Sequence, residues 1–338
     1  MTPVVAQPKG PLQPWIPELA DSLARGLREL VLPQLGTAWA RGLSGRAAGG
    51  DTTFTIDERA EAYLEEFLVT ADRPLATYSE DRGLRVWGPA GRPECVLIVD
   101  PIDGTRPAVA GLEAACVSVA AAGWAERPVM SDVQYGVVVE IKEGGLFRAA
   151  RGRGAEGFRA DGSLIPFAPS QGADLGRLFW TIGFRGRPAA ELVAALGGLI
   201  DKSSVDGGVF DLGSATYCMT RLLTGQLDAY IDVGPRMIEL VPEVEARFRE
   251  VGKGAVLNNS PYDVAAAVLI LHEAGCQVTD AGGRSLDERP VLGADMSHQM
   301  SVIASSNPRL HEAVLAEVER GMEHLAAWVR GTADPGRL

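Results

Sequence analysis

Between Pro17 and about Trp39, apolar residues recur at three-to-four spacing: Leu19, Leu23, Leu27, Leu30 and Val31. That period predicts an amphipathic helix, which Pro33 should end or bend. Residues 43–51, LSGRAAGGD, read as a loop. A second helix is expected from Thr55 to about Leu68, with Thr55 as N-cap and Glu58 completing a capping box. The texture then changes. ECVLIVD (94–100), CVSVAAAGW (116–124) and VQYGVVVEI (133–141) read as strands, and Gly144-Gly145 sets off LFRAAR as the return of a hairpin. The first half therefore predicts helices on a mainly antiparallel sheet.

From Pro166 to Gly176 the residues are mostly polar and small, which suggests a seam. Beyond it the pattern alternates. RLFWTIGF (177–184), LDAYIDV, CQVTD and SVIAS read as strands. PAAELVAALGGLID (188–201), GSATYCMTRLLTG (213–225), SPYDVAAAVLILHEAG (260–275) and HEAVLAEVERGMEHLAAWV read as helices. Alternation of this kind predicts an α/β layer. The expected organisation is a loose arm over 1–14, an N-terminal α+β half over 15–170 and a smaller α/β half over 171–338.

Length and charge narrow the function. A chain of 338 residues can bury a core without disulfide staples. Lys plus Arg number 32 against 44 Asp plus Glu, a net charge of -12, which argues against nucleic-acid binding and against a polybasic membrane anchor. Cys95, Cys116, Cys218 and Cys276 are scattered with no CxxC, so reduced thiols are expected. No secretory signal pattern opens the chain, and no apolar run nears the ~18 residues of a membrane span. A soluble, cytoplasmic protein is expected. The histidines His298, His311 and His324 read as surface residues.

The densest chemical signal is Asp100-Pro101-Ile102-Asp103-Gly104-Thr105. An apolar strand ends there in two carboxylates beside a glycine turn. Backbone donors and a hydroxyl in the same turn suit a hard divalent ion carrying a phosphate. Taken alone, Asp-Pro and Asp-Gly would read as an ordinary turn. Other acids are candidates to join: Asp57 in the first turn of the second helix, Glu80 in Ser79-Glu80-Asp81, and Asp263 at the start of an apolar helix.

In order, TID at 55–57, SED at 79–81, DPIDGT at 100–105, YD at 262–263 and HEAGC at 272–276 resemble the inositol monophosphatase family, magnesium-dependent and lithium-sensitive phosphatases that include fructose bisphosphatases. The resemblance spans roughly residues 15–325. It implies a layered αβαβα fold and hydrolysis of a small phosphorylated polyol or sugar by metal-activated water. A nucleotide or biosynthetic sugar phosphate is the alternative substrate class, and a silent phospho-ligand-binding relative the alternative role. Two or three magnesium ions are implied, with manganese as a possible substitute. By resemblance, Glu80, Asp100 and the carbonyl of Ile102 hold one ion, and Asp100, Asp103 and Asp263 a second. Glu80 also serves the chemistry through a third, weaker ion. Asp57 and Thr105 position and deprotonate the attacking water, and the N–H groups of Gly104 and Thr105 hold the phosphate. Gly213, Ser214 and Ala215 lie near the substrate, and Asp232 matches an acid that binds a substrate hydroxyl. A homodimer is also implied.

Two departures stand out, and a pair of arginines stands beside them. Arg106-Pro107-Ala108 follows DPIDGT and sets a guanidinium beside the site. Asp232 and Asp263 stand 31 positions apart, far more than the family's spacing, so 234–259 reads as an insertion with a short helix in PEVEARFREVG. Arg185 and Arg187 lie near the substrate by resemblance. They read either as solvated arginines or as receptors for a second anionic group, the latter pointing to a sugar phosphate or bisphosphate.

Overall fold

The computed structural model describes residues 12–47, 49–89 and 91–331. Residues 1–11 of the expected N-terminal arm lie outside the described residues. Helix α1 (Trp15–Val31) buries Ile16, Ala20, Leu23, Ala24, Leu27 and Val31 in one stripe. It tightens into a 3₁₀ turn at Leu32–Gln34, around Pro33. The segment expected as a loop contains β1 (Leu43–Arg46), which pairs antiparallel with β2 (Thr52–Phe54). All four residues of β1 are exposed, so no burial alternation marks it.

Helix α2 (Thr55–Ala71) begins one residue away from the expected register. The Thr55 N–H donates to the Gly42 carbonyl at 2.8 Å, and Phe54 is the N-cap. The carboxylate reaching back to the cap is therefore Asp57, whose Oδ2 accepts from Phe54 N at 2.8 Å, and not Glu58. β3 (Leu75–Ser79) and β4 (Gly83–Trp87) follow, then β5 (Cys95–Asp103), α3 (Thr105–Ala110), β6 (Cys116–Gly123), β7 (Val133–Glu140), β8 (Leu146–Ala150) and β9 (Ala155–Phe158). These strands form a seven-stranded sheet in the order β4-β3-β5-β6-β7-β8-β9. Every pair is antiparallel except β3 with β5.

The second half supplies β10 (Phe179–Ile182), α4 (Ala189–Lys202), β11 (Gly208–Phe210), α5 (Ala215–Leu223), β12 (Ala229–Asp232), α6 (Gly234–Leu240), α7 (Glu245–Val251), α8 (Pro261–Glu273), β13 (Gln277–Thr279), β14 (Val302–Ser305) and α9 (Pro308–Val329). Its strands form a five-stranded sheet, β11-β10-β12-β14-β13. β10 runs parallel to β11 and β12, as α/β crossovers require, while β14 is antiparallel to its neighbours.

Five layers result, as the resemblance implies. α1 and α2 cover the outer face of the large sheet, α5 and α8 lie between the sheets, and α4, α6 and α9 close the far side. Three apolar cores fill the gaps. One joins α1 and α2 to the large sheet, the second surrounds α5 and α8, and the third includes Trp180, Leu196, Ile231 and Val314. Helix α8 is apolar on nearly every side because sheets flank it on both faces. The insertion contributes Met237, Val241, Val244, Phe248 and Val256 to the third core. His311, expected at the surface, is buried between Ser305 and Thr279, which lie 3.2 and 2.9 Å from its ring nitrogens. All four cysteines are free and buried. Among the described residues, no helix is long and apolar enough to cross a membrane.

Candidate active site

The site grows from the end of β5. Asp100 pairs with Ser118 and Asp103 with Cys116, with a register irregularity between them. Pro101 has no N–H to give the ladder, and the irregularity re-aims the carboxylates. The Asp100 Oδ1 accepts from Ile102 N at 2.9 Å. Gly104 then turns the chain at φ +91, and α3 starts at Thr105. Thr105 Oγ1 lies 2.9 Å from Asp57 Oδ1 and 3.1 Å from the Ile102 carbonyl. Its single proton serves one of them at a time, so the hydroxyl can also accept from a third group.

Two helices from the second half complete the cluster. At the start of α5, Ser214 Oγ and Thr216 N donate to Asp103 Oδ2 at 2.7 and 2.6 Å. At the start of α8, Ser260 N donates to Asp263 Oδ2 at 2.5 Å, and Thr216 Oγ1 donates to the Asp263 carbonyl at 2.7 Å. Asp100, Asp103 and Asp263, all buried, each offer one carboxylate oxygen to a group whose members lie within 4.8 Å of one another. Glu80, in the turn after β3, lies outside that triad but close enough to repel it.

The electrostatics follow from that crowding. Burial pushes the Asp100 carboxyl well above its usual range, and Glu80, Asp103 and Asp263 push it further. Glu80 is raised by burial and then by Asp263, Asp57 and Asp51. Asp263 rises to about 7, from burial and then from Asp103. Asp103 is raised by burial but held back by Ser214 and Thr216. Asp57 rises to about 7 through burial, against its hydrogen bonds from Phe54 and Thr105. Several carboxylates kept close and dehydrated are costly unless a cation offsets them. An all-oxygen donor set of this kind fits a hard divalent ion such as magnesium or manganese, and no cysteine or histidine belongs to it.

The cleft beside the triad is walled by Asp103, Asp263, Gly213, Ser214, Arg185 and Arg187, among others, and Ala215 lies along it. Asp232, expected to meet a substrate hydroxyl, does not face this cleft. It is 0% exposed, both its oxygens take the Arg187 guanidinium, and Gly234 N donates to Oδ1 at 3.0 Å. Arg187 is 4% exposed, so the reading of it as a solvated arginine is also corrected. A buried carboxylate needs a buried counter-charge, and Arg187 supplies it. Arg185 instead pairs with Asp51 and lies beside the acids.

Two residues at the site belong to no sequence motif. Asp51 accepts from Arg106 at 3.0 Å and from Arg185. Glu61, buried on α2, accepts from Ser79 Oγ at 2.9 Å and Asp81 N at 3.2 Å, and so brackets Glu80 from both sides. Glu61 lies four residues beyond Asp57, one helical turn along the same face, and that spacing could have pointed to it.

Comparison with known proteins is consistent in fold and family. The inositol monophosphatase family's sequence model matches residues 18–323. A fructose-1,6-bisphosphatase/inositol-1-monophosphatase of Methanothermobacter thermautotrophicus is 26% identical over 310 residues, covering 89% of this chain and 95% of that protein. A bifunctional NADP phosphatase/NAD kinase of Methanococcus maripaludis is 25% identical over 311 residues, covering 88% of this chain and 48% of that protein. The solved structure of a Thermotoga maritima IMPase superposes with a TM-score of 0.63 at 21% identity, covering 91% of this chain and 98% of that one.

Proposed function

This chain belongs to the inositol monophosphatase family, and from that premise we propose that it is a magnesium-dependent phosphomonoesterase acting on a small phosphorylated polyol or sugar. The observation that carries the reading is the convergence of Asp100, Asp103 and Asp263 oxygens within 4.8 Å, with Thr105 of the same turn hydrogen-bonded to Asp57 of α2.

Asp100, Asp103 and Asp263 would hold one divalent cation, and Glu80, Asp100 and the Ile102 carbonyl a second. When bound, such cations neutralise phosphoryl oxygens and lower the pKa of water, removing the repulsion between a phosphate ester and a hydroxide nucleophile. The chain's own groups do the rest. Asp57 accepts the proton of the attacking water, directly or through Thr105 Oγ1, which stands 2.9 Å away. Gly104 and Thr105 present backbone N–H groups at the start of α3, where helix geometry leaves them without intrahelical acceptors. They would hold the phosphate against the acids. Ser214 and Thr216 fix Asp103 in one rotamer and keep its other oxygen for the cation. Gly213, Ser214 and Ala215 lie on the substrate side, and Arg185 stands at its edge.

The test is phosphate release from inositol, fructose, glucose and glycerol phosphates, fructose 1,6-bisphosphate and NADP, with magnesium and with chelator. Release should need magnesium, and Asp100→Asn should lower kcat by roughly 10³ or more. Equal release in chelator, or full activity in Asp100→Asn, sinks the reading. Preference for NADP would favour the nucleotide-phosphate alternative.

A further inference from the structure

On the far side of Arg185 lies a second cavity of about 200 Å³. Its wall carries four cations, Arg46, Arg106, Arg185 and Lys253, and one carboxylate, Asp51. In a chain of net charge -12 this is a local reversal of sign. Asp51 is shared between Arg106 and Arg185. Among the described residues, the Arg46 guanidinium has no carboxylate partner, and its one hydrogen bond goes to the Lys253 carbonyl, at 3.5 Å. The Lys253 ammonium makes no hydrogen bond or ion pair among them. Four cations around one acid leave a net positive charge that an anion would offset.

The backbone adds a second observation. Lys253 sits at φ +54, a left-handed conformation that disfavours a side chain, although glycine stands on either side of it. The turn is held by Lys253 N donating to Glu250 O at 3.2 Å and Gly254 N to Arg249 O at 2.7 Å. Glycine would fit this position with less strain, yet the chain carries a lysine whose residue lines the cavity. Lys253 comes from the insertion and Arg106 from the departure after DPIDGT. Arg185 lines both this cavity and the cleft with Asp103 and Asp263, so the two spaces share a wall.

We propose that the cavity walled by Arg46, Arg106, Arg185 and Lys253 is a second anion site that binds a phosphate group beside the cleft. The assignment of that group to the substrate rests on the phosphatase reading; the site itself does not. Guanidinium groups pair bidentately with phosphate oxygens, and lysine adds a point charge. An incoming phosphate competes with Asp51 for Arg106 and Arg185. The substrate class this selects is a sugar carrying two phosphates, one cleaved at the acids and one held here.

The probe is inorganic phosphate, titrated by calorimetry in chelator into wild type and an Arg46→Ala/Lys253→Gly double variant. Without a divalent cation the acid cluster repels phosphate, so binding reports the basic cavity. Lys253→Gly suits the left-handed backbone, so loss of binding is not a folding defect. Wild type should bind, and the variant at least fivefold more weakly. No binding by wild type, or equal binding by both, overturns the proposal. With magnesium, KM for fructose 1,6-bisphosphate should rise in the variant at least fivefold more than KM for p-nitrophenyl phosphate, which assigns the group to the substrate. If that ratio stays fixed while the variant loses an effect of free phosphate on p-nitrophenyl phosphate turnover, the site takes a separate anion. If neither changes, the proposal fails. Phosphate binding in chelator with no hydrolysis of any ester would overturn the phosphatase reading and leave the anion site standing.

Discussion

Glu61 and Arg187 show how a site depends on residues that carry no motif. Glu61 joins Ser79 to Asp81 N–H and so fixes the turn that presents Glu80. Its carboxyl is pushed up to about 7 by burial, against those two hydrogen bonds. Glu61→Ala leaves the Ser79 hydroxyl and the Asp81 N–H without their acceptor. The expected cost is about 1–3 kcal/mol, read from urea unfolding, with a fall in kcat as Glu80 loses its support. Unchanged stability and unchanged kcat would show that the turn holds itself. Sequence pattern ranked Asp57, Asp100, Asp103 and Asp263 by their motifs, and the structure brings all four to one place. It could not rank Asp232, because whether an acid faces substrate or a buried arginine depends on Arg187, 45 positions away.

Elements decide how those side chains are aimed. The turn after β5 works because Gly104 accepts φ +91 where space is absent as well. A Cβ there would meet the Ala114 carbonyl at 2.5 Å and Ser214 Cβ at 2.8 Å. Gly104→Ala should therefore cost at least about 2 kcal/mol and move Thr105 relative to Asp57. Thermal melts and kcat check this, and a variant with wild-type values for both would contradict the strain argument. Most helices and the buried strands were legible from their periods, including the hairpin of β7 and β8. Three of the missed strands, β1, β3 and β4, share a physical cause. β1 is exposed throughout and β4 nearly so, and β3 is held by a parallel partner distant in sequence. None has a local alternation for a pattern to detect.

Across the whole molecule, the buried acids link folding to protons and metal. Asp57, Glu61 and Asp263 sit at about 7 in the folded chain, above their ordinary values of 3.8, 4.5 and 3.8. Between those limits the folded state binds more protons than the unfolded one. Stability without metal is then fully present below about pH 4 as far as these groups decide it, and is lost as pH rises through 7. In chelator, the melting temperature should be lower at pH 8 than at pH 5.5. Magnesium at pH 8 should recover the difference, because a cation takes the place of the protons. A melting temperature that rises from pH 5.5 to 8 in chelator, or ignores magnesium at pH 8, would contradict this. The same layering explains the site's position: α2 and β5 come from the first half, α5 and α8 from the second, and the middle layer brings them together.

Local physics fixed what the sequence determined by itself. Periodicity set the main elements, and the order of acids around DPIDGT set the family and the chemistry it suggests. Proximity between distant segments decided the remainder. Glu61 holds the turn on either side of Glu80, Arg187 pairs with Asp232, and Lys253 of the insertion lines one cavity with Arg46 and Arg106. Each pairing joins residues whose separate surroundings are unremarkable, and only folding places a charge where another charge, or an anion, must answer it.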